Sequence, residues 1–116
     1  MKYLLLIYEN EAVAAGMSEA DQGTIWGEYM TSTEDIRKKG QYVAGEALQP
    51  VATATTVRIK DGKTVSTDGP FAETREQLGG FYLVEAKDLD EATALAARIP
   101  AARTGSIEVR PIMPTS

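Results

Sequence analysis

Apolar residues run along this chain in short extended-type stretches, interrupted twice by longer stretches at helical spacing. Lys2–Tyr8 is apolar on both sides of an extended chain, with Tyr3, Leu5 and Ile7 pointing one way and Leu4, Leu6 and Tyr8 the other. Such a run predicts a central strand covered on both faces. Glu9–Met17 is acidic and alanine-rich and reads as a loop. Ser18 then opens a helix as its cap, with Asp21 at the capping-box position. Ile25, Tyr29 and Ile36, flanked by Trp26, Met30 and Thr33, form its apolar stripe, and Lys38-Lys39-Gly40 closes it. Gln41–Leu48 predicts a second strand and Gln49–Thr53 a loop around Pro50. Ala54–Lys60 and Lys63–Thr67 alternate about Asp61-Gly62, the dipeptide that favours a tight hairpin turn. Asp68-Gly69-Pro70 ends that hairpin, and Phe71–Gly80 is charged, with the character of one helical turn. Phe81–Ala86 is again apolar on both faces. Asp88 and Glu91 open a second helix whose buried stripe is Ala92, Leu95, Ala96 and Ile99, stopped by Pro100. Ser106–Ile112 is the last strand.

The order is β-α-β, a hairpin, then β-α-β, with no internal repeat and no linker. It predicts one domain spanning residues 1–116, an α+β, ferredoxin-like βαβ-βαβ sandwich with an inserted β-hairpin. Both helices belong on one face of the sheet. The other face is left with leucine or tyrosine side chains and no helix, so a second copy is expected to cover it. A compact monomer of 12.5 kDa has a surface of ~6,200 Å², and further apolar burial against a partner would stabilise it.

Composition removes several kinds of chemistry. The chain has no cysteine and no histidine. Disulfides, thiolate sites, Ser-His-Asp triads and histidine-ligated metals are therefore excluded. Net charge is −5, which disfavours nucleic acid and anionic membrane as partners. No stretch is long enough to span a bilayer, and Tyr3–Tyr8 is too short for a signal-peptide core. The expected location is the cytoplasm.

Candidate chemistry therefore rests on carboxylates and phenols. Asp68-Gly69-Pro70-Phe71 reads either as a turn with Phe71 packed as an anchor, or as a pocket rim with Asp68 as its carboxylate. Glu73, Arg75 and Glu76 read either as a solvated or salt-bridged loop, or as the seat of a general acid/base at Glu73. Asp68, Glu73 and Glu76 offer only oxygen donors and lack EF-hand spacing, so no metal is assigned. Tyr8, Tyr29, Tyr42 and Glu46 are placed to orient a polar ligand, or else to fill the core or a dimer interface. Glu108 and Arg110 alternate together as a polar edge.

The run DGPFAETREQLGGFYLVEAKDLDEATALAARIPAARTGSIEVRP, which begins at Asp68, resembles the DGPF subgroup of the YCII-related family. MKYLLLIY and VAGEALQPVATATTVRIKDG resemble the same subgroup, so the likeness covers nearly the whole chain. The resemblance implies a YciI-type ferredoxin-like fold, and a dimer whose sheets face each other as in the dimeric α+β barrels. It also implies a pocket between the sheet and the first helix, where a histidine–aspartate pair acts in the wider family. Some relatives carry out small-molecule elimination or dehydrochlorination, and subgroup members are often encoded beside extracytoplasmic-function sigma factors. This chain lacks the histidine, so that pair does not carry over. Trp26, Glu28, Tyr29 and Met30 stand where it is expected. The expected protein is a small-molecule-binding homodimer without a cofactor. Asp68 or Glu73 is its base, Tyr8, Trp26, Tyr29, Glu46 and Phe71 contact the ligand, and isomerisation or elimination is the reaction class. The alternative is a non-catalytic regulatory module linked to sigma-factor signalling.

Overall fold

The computed structural model describes residues 1–114. Its elements are β1 (Lys2–Glu9), α1 (Glu11–Ala15), α2 (Glu19–Lys38), β2 (Tyr42–Ala47), β3 (Thr55–Lys60), β4 (Lys63–Asp68), β5 (Gln77–Glu85), α3 (Leu89–Ala97) and β6 (Ser106–Pro111). Four strands form one antiparallel sheet in the order β2-β5-β1-β6, and β3 pairs only with β4 in a separate ribbon. The arrangement is α+β and compatible with a ferredoxin-like fold.

The caps define the helices. Ser18 Oγ accepts from the Asp21 N–H at 3.1 Å, and Asp88 Oδ1 accepts from the Glu91 N–H at 2.9 Å. Glu91 reaches back one residue past the cap, its Oε1 accepting from the Lys87 N–H at 3.0 Å. Three expectations need correction. The Glu9–Met17 loop contains α1, because Asn10 caps Val13 and satisfies its first turn. Phe71–Gly80 holds no helical turn; its second half is already β5, which begins at Gln77 rather than Phe81. The glycine pair that reads as a loop lies inside this strand. Gly79 is the extra residue of a bulge opposite Ile7 and Tyr8, and its carbonyl accepts from the Leu48 N–H at 2.8 Å.

The sheet has two unlike faces. Tyr3, Leu5 and Ile7 of β1 and Tyr82 and Val84 of β5 are buried beneath Ile36 of α2 and Ala92, Leu95 and Ala96 of α3. The alternate residues Leu4, Leu6, Tyr8, Phe81 and Leu83 are half-buried. Register places Leu4 opposite Leu83 and Leu6 opposite Phe81, with Arg110 and Glu108 beside them on β6. This is one apolar patch with a polar flank, and no helix of the described residues lies over it.

Helix α2 leans towards α3. Ser32 donates to the Arg98 carbonyl at 2.7 Å, Arg98 pairs with Asp35, and Arg103 pairs with Glu28. Its apolar stripe is fully buried only at Ile36. Ile25, Tyr29 and Thr33 are half-buried, and Trp26 and Met30 are exposed. The reason lies across the gap, where the sheet offers α2 mainly Gly45, Ala47 and Gly80. Gly45 is required there, since a Cβ would stand 2.7 Å from the Tyr82 ring.

Gly105 is more tightly constrained, because a Cβ would meet the Tyr8 carbonyl oxygen at 2.1 Å, and that backbone cannot yield. Gly105→Ala is expected to destabilise the fold by roughly 1–3 kcal/mol, the usual cost of overpacking. Gly27→Ala, with open space around the new methyl, should instead stabilise α2 by about 1 kcal/mol. Urea midpoints of the two variants check both signs.

Candidate functional site

The glycine and alanine floor and the middle of α2 enclose a cleft of about 700 Å³. Its walls are Ile25, Trp26, Tyr29, Met30 and Thr33 of α2, Ala14 and Ala15 of α1, and Met17 in the turn that follows. Ile7, Glu9, Tyr42, Gln77 and Tyr82 of the sheet complete them. That volume is within the ~300–1,000 Å³ common for small-molecule sites, and aromatic and aliphatic surface dominates it. A second depression of about 660 Å³, by Met1 and Leu95, is shallower and rimmed by Lys39, Glu85, Lys87, Glu91 and Arg98. Those charges lie at a solvated rim and do not converge on an enclosed space.

Two polar pairs lie within the cleft. Tyr29 donates its hydroxyl proton to Glu9 Oε1 at 3.3 Å, and the hydroxyls of Thr33 and Tyr82 are 2.5 Å apart. Burial, and then the neighbouring Glu9 carboxylate, hold the Tyr29 phenol well above its ordinary pKa. Tyr29 is therefore a proton-retaining hydrogen-bond donor beside an acceptor. The other Glu9 oxygen has no hydrogen-bond partner among the described residues. Glu11 also lines the cleft, but its carboxylate accepts from the Val51 N–H and secures the chain after β2. Tyr42 meets Tyr82 edge to face at a centroid distance of 6.1 Å, and the Arg37 guanidinium covers its ring.

The residues expected to form the site fall in separate places. Trp26 and Tyr29 line the cleft, whereas Glu46 only borders it with its backbone on β2, since it pairs with Phe81 and alternation puts its side chain on the open sheet face. Tyr8 lies on the opposite face of the sheet, opposite Leu78 and Ser106. Asp68 ends β4, paired with Thr55. Glu73 and Phe71 are exposed in the following loop, Phe71 at 79%. Glu76 turns to Ser106, whose hydroxyl donates to it at 2.8 Å. Among the described residues no acidic cluster is arranged to hold a metal ion, and no helix is long and apolar enough to cross a membrane. Glu9, Thr33 and Tyr82 were not expected in the site. The available signal was glycine within strand-forming sequence at Gly45, Gly79 and Gly80, which marks missing side-chain volume in a sheet.

The chain is thus a small α+β protein with a ligand-sized cleft between one helix and an antiparallel sheet. It belongs to the YCII-related domain family, whose model matches residues 1–116. A protein of Rhizobium meliloti (strain 1021), described only as uncharacterized, is 37% identical over 114 residues, covering 97% of this chain and 92% of the relative.

Tyr29 generates a pH prediction. Its folded pKa is raised, so the folded state holds a proton that the unfolded state releases near the ordinary tyrosine value of about 10. The stabilisation should be complete below about pH 10 and lost as pH rises beyond it towards the folded value. Tyrosinate absorbance should show Tyr29 ionising late or only on unfolding, so the late signal should fall by one tyrosine's amplitude in Tyr29→Phe.

Proposed function

We propose that this YCII-related protein, of the DGPF subgroup, is a cytoplasmic small-molecule-binding homodimer whose ligand occupies the cleft under α2. The observation that carries the reading is a 700 Å³ space with an apolar, aromatic lining and one carboxylate–phenol pair inside it. Glu9 and Glu11 line the cleft, and no lysine or arginine is among its lining residues. An uncharged or cationic ligand suits that field, with aromatic faces available to a cation. A net charge of −5 argues against nucleic acid and anionic membrane as partners.

The dimer reading rests on area and shape. The chain exposes 8169 Å², against ~6,200 Å² for a compact monomer of its mass. Its Cα extents are 48 × 46 × 19 Å, a plate two layers thick. Leu4, Leu6, Phe81 and Leu83 form an apolar centre with a polar flank, the anatomy of an interface core and rim. A second copy packed sheet to sheet covers them.

Cofactor-free proton transfer, as in isomerisation or elimination, is a second reading, favoured by the Glu9–Tyr29 hydrogen bond. Glu9 removes a substrate proton, and the Tyr29 phenol donates to the oxygen on which charge develops. Asp68 and Glu73, outside the cleft lining, are not used in this scheme.

Trp26 is the single tryptophan and lies at the cleft wall, so its fluorescence reports binding. Benzylamine or benzyl alcohol should shift that emission and raise the melting temperature, and benzoate should do so at least tenfold more weakly. Glu9→Gln should lose the preference for the amine, whereas Asp68→Asn and Glu73→Gln should keep it. Failure of all three probes to perturb Trp26, or loss of binding only in the Asp68 and Glu73 variants, would move the site elsewhere.

A further inference from the structure

We infer that the β3–β4 hairpin is an arm that closes over a second copy of this chain. The inference rests on the homodimer reading and extends it, since that reading uses only the sheet face. The hairpin turns at Asp61-Gly62, both with positive φ, the conformation an Asn-Gly or Asp-Gly turn adopts. Its base is tied by the Gly69 N–H donating to the Ala54 carbonyl at 2.7 Å and by Thr56 Oγ1 donating to the Gly69 carbonyl at 2.9 Å. Beyond that base it leans on nothing. Every residue of β4 is exposed, as is every residue of β3 except Thr56.

A two-stranded ribbon is marginally stable by itself in water. This one also presents Val57 and Ile59 together on one face, opposite Ser66 and Thr64, at 60% and 67% exposure. The chain exposes roughly 2,000 Å² more than the compact expectation. The open sheet face, four strands of six to nine residues, has a projected footprint of ~450 Å² at ordinary strand spacings. A standard interface takes ~800 Å² of accessible surface from each partner, and the excess is more than twice that. The exposed hairpin accounts for part of that excess and lies off one end of the sheet, because it leaves from the end of β2, the edge strand, and returns at the start of β5 beside it. Charge points to the same occupant. Arg58, Lys60 and Lys63 outnumber Asp61 and Asp68 on the hairpin, giving a positive arm on a chain whose net charge is −5. The body of a second copy is the matching negative surface.

Sedimentation of the full chain, of Val57→Asp/Ile59→Asp and of Leu6→Asp tests this, with far-UV circular dichroism to confirm folding. The wild type should be a dimer, and the hairpin variant should dissociate with a Kd at least tenfold higher. The chain has no cysteine, so Ile59→Cys carries a single nitroxide. Its spectrum should be immobilised in the dimer and mobile on dilution. A dimer lost in Leu6→Asp but unchanged in the hairpin variant, with a mobile label at residue 59, would overturn the arm and leave the sheet-to-sheet dimer standing. A wild type that is monomeric at every concentration would remove both. A tetramer that falls to a dimer in the hairpin variant would place the hairpin between dimers and overturn its assignment within one.

Discussion

Strand β1 sits in the middle of the sheet with apolar side chains on both faces, and only one face is satisfied within the chain. Tyr3, Leu5 and Ile7 enter the helix-side core with Ile36, Val84 and Leu95, while Leu4 and Leu6 meet Phe81 and Leu83 on the open side. Burying the first set holds α2 and α3 to the sheet. The same extended backbone necessarily directs the second set outwards, since successive strand residues alternate in direction. The thin plate and its large surface both descend from that one strand.

Beneath α2 the packing is deliberately incomplete. Polar links to Arg98 and Arg103 draw the helix towards α3, and glycine and alanine occupy the facing positions of β2 and β5. A gap of this size would be costly inside a core, where lost volume destabilises. Here it opens beside the edge strand, is lined by rings, and contains a phenol that keeps its proton next to a carboxylate. In a chain without histidine, that pair provides a donor and an acceptor at neighbouring positions.

The hairpin raises the same problem in a smaller element. Its turn residues and threonine-rich strands encode a ribbon locally, yet it buries almost nothing of its own. A two-stranded ribbon of this kind has little stability of its own in water.

Except for α1, which was read as loop, strand and helix identities were legible in the sequence because they depend on local periodicity and caps: two-faced β1, Ser18 and Asp88 as caps, Asp61-Gly62 as turn. Family membership was legible too, in the run from Asp68. The start of β5 was not, since Gly79-Gly80 has a loop's composition and becomes a strand only because β2 and β1 offer it hydrogen bonds. The cleft was legible only in part. Trp26 and Tyr29 carry a suggestive chemistry, but Glu9, Thr33 and Tyr82 become partners only when strands distant in sequence are set side by side. Tyr8 is separated from them by the sheet itself, because a strand sends neighbouring side chains to opposite faces. Which residues could be buried was written along the chain; which hydroxyl meets which carboxylate depended on how far α2 stands from the sheet.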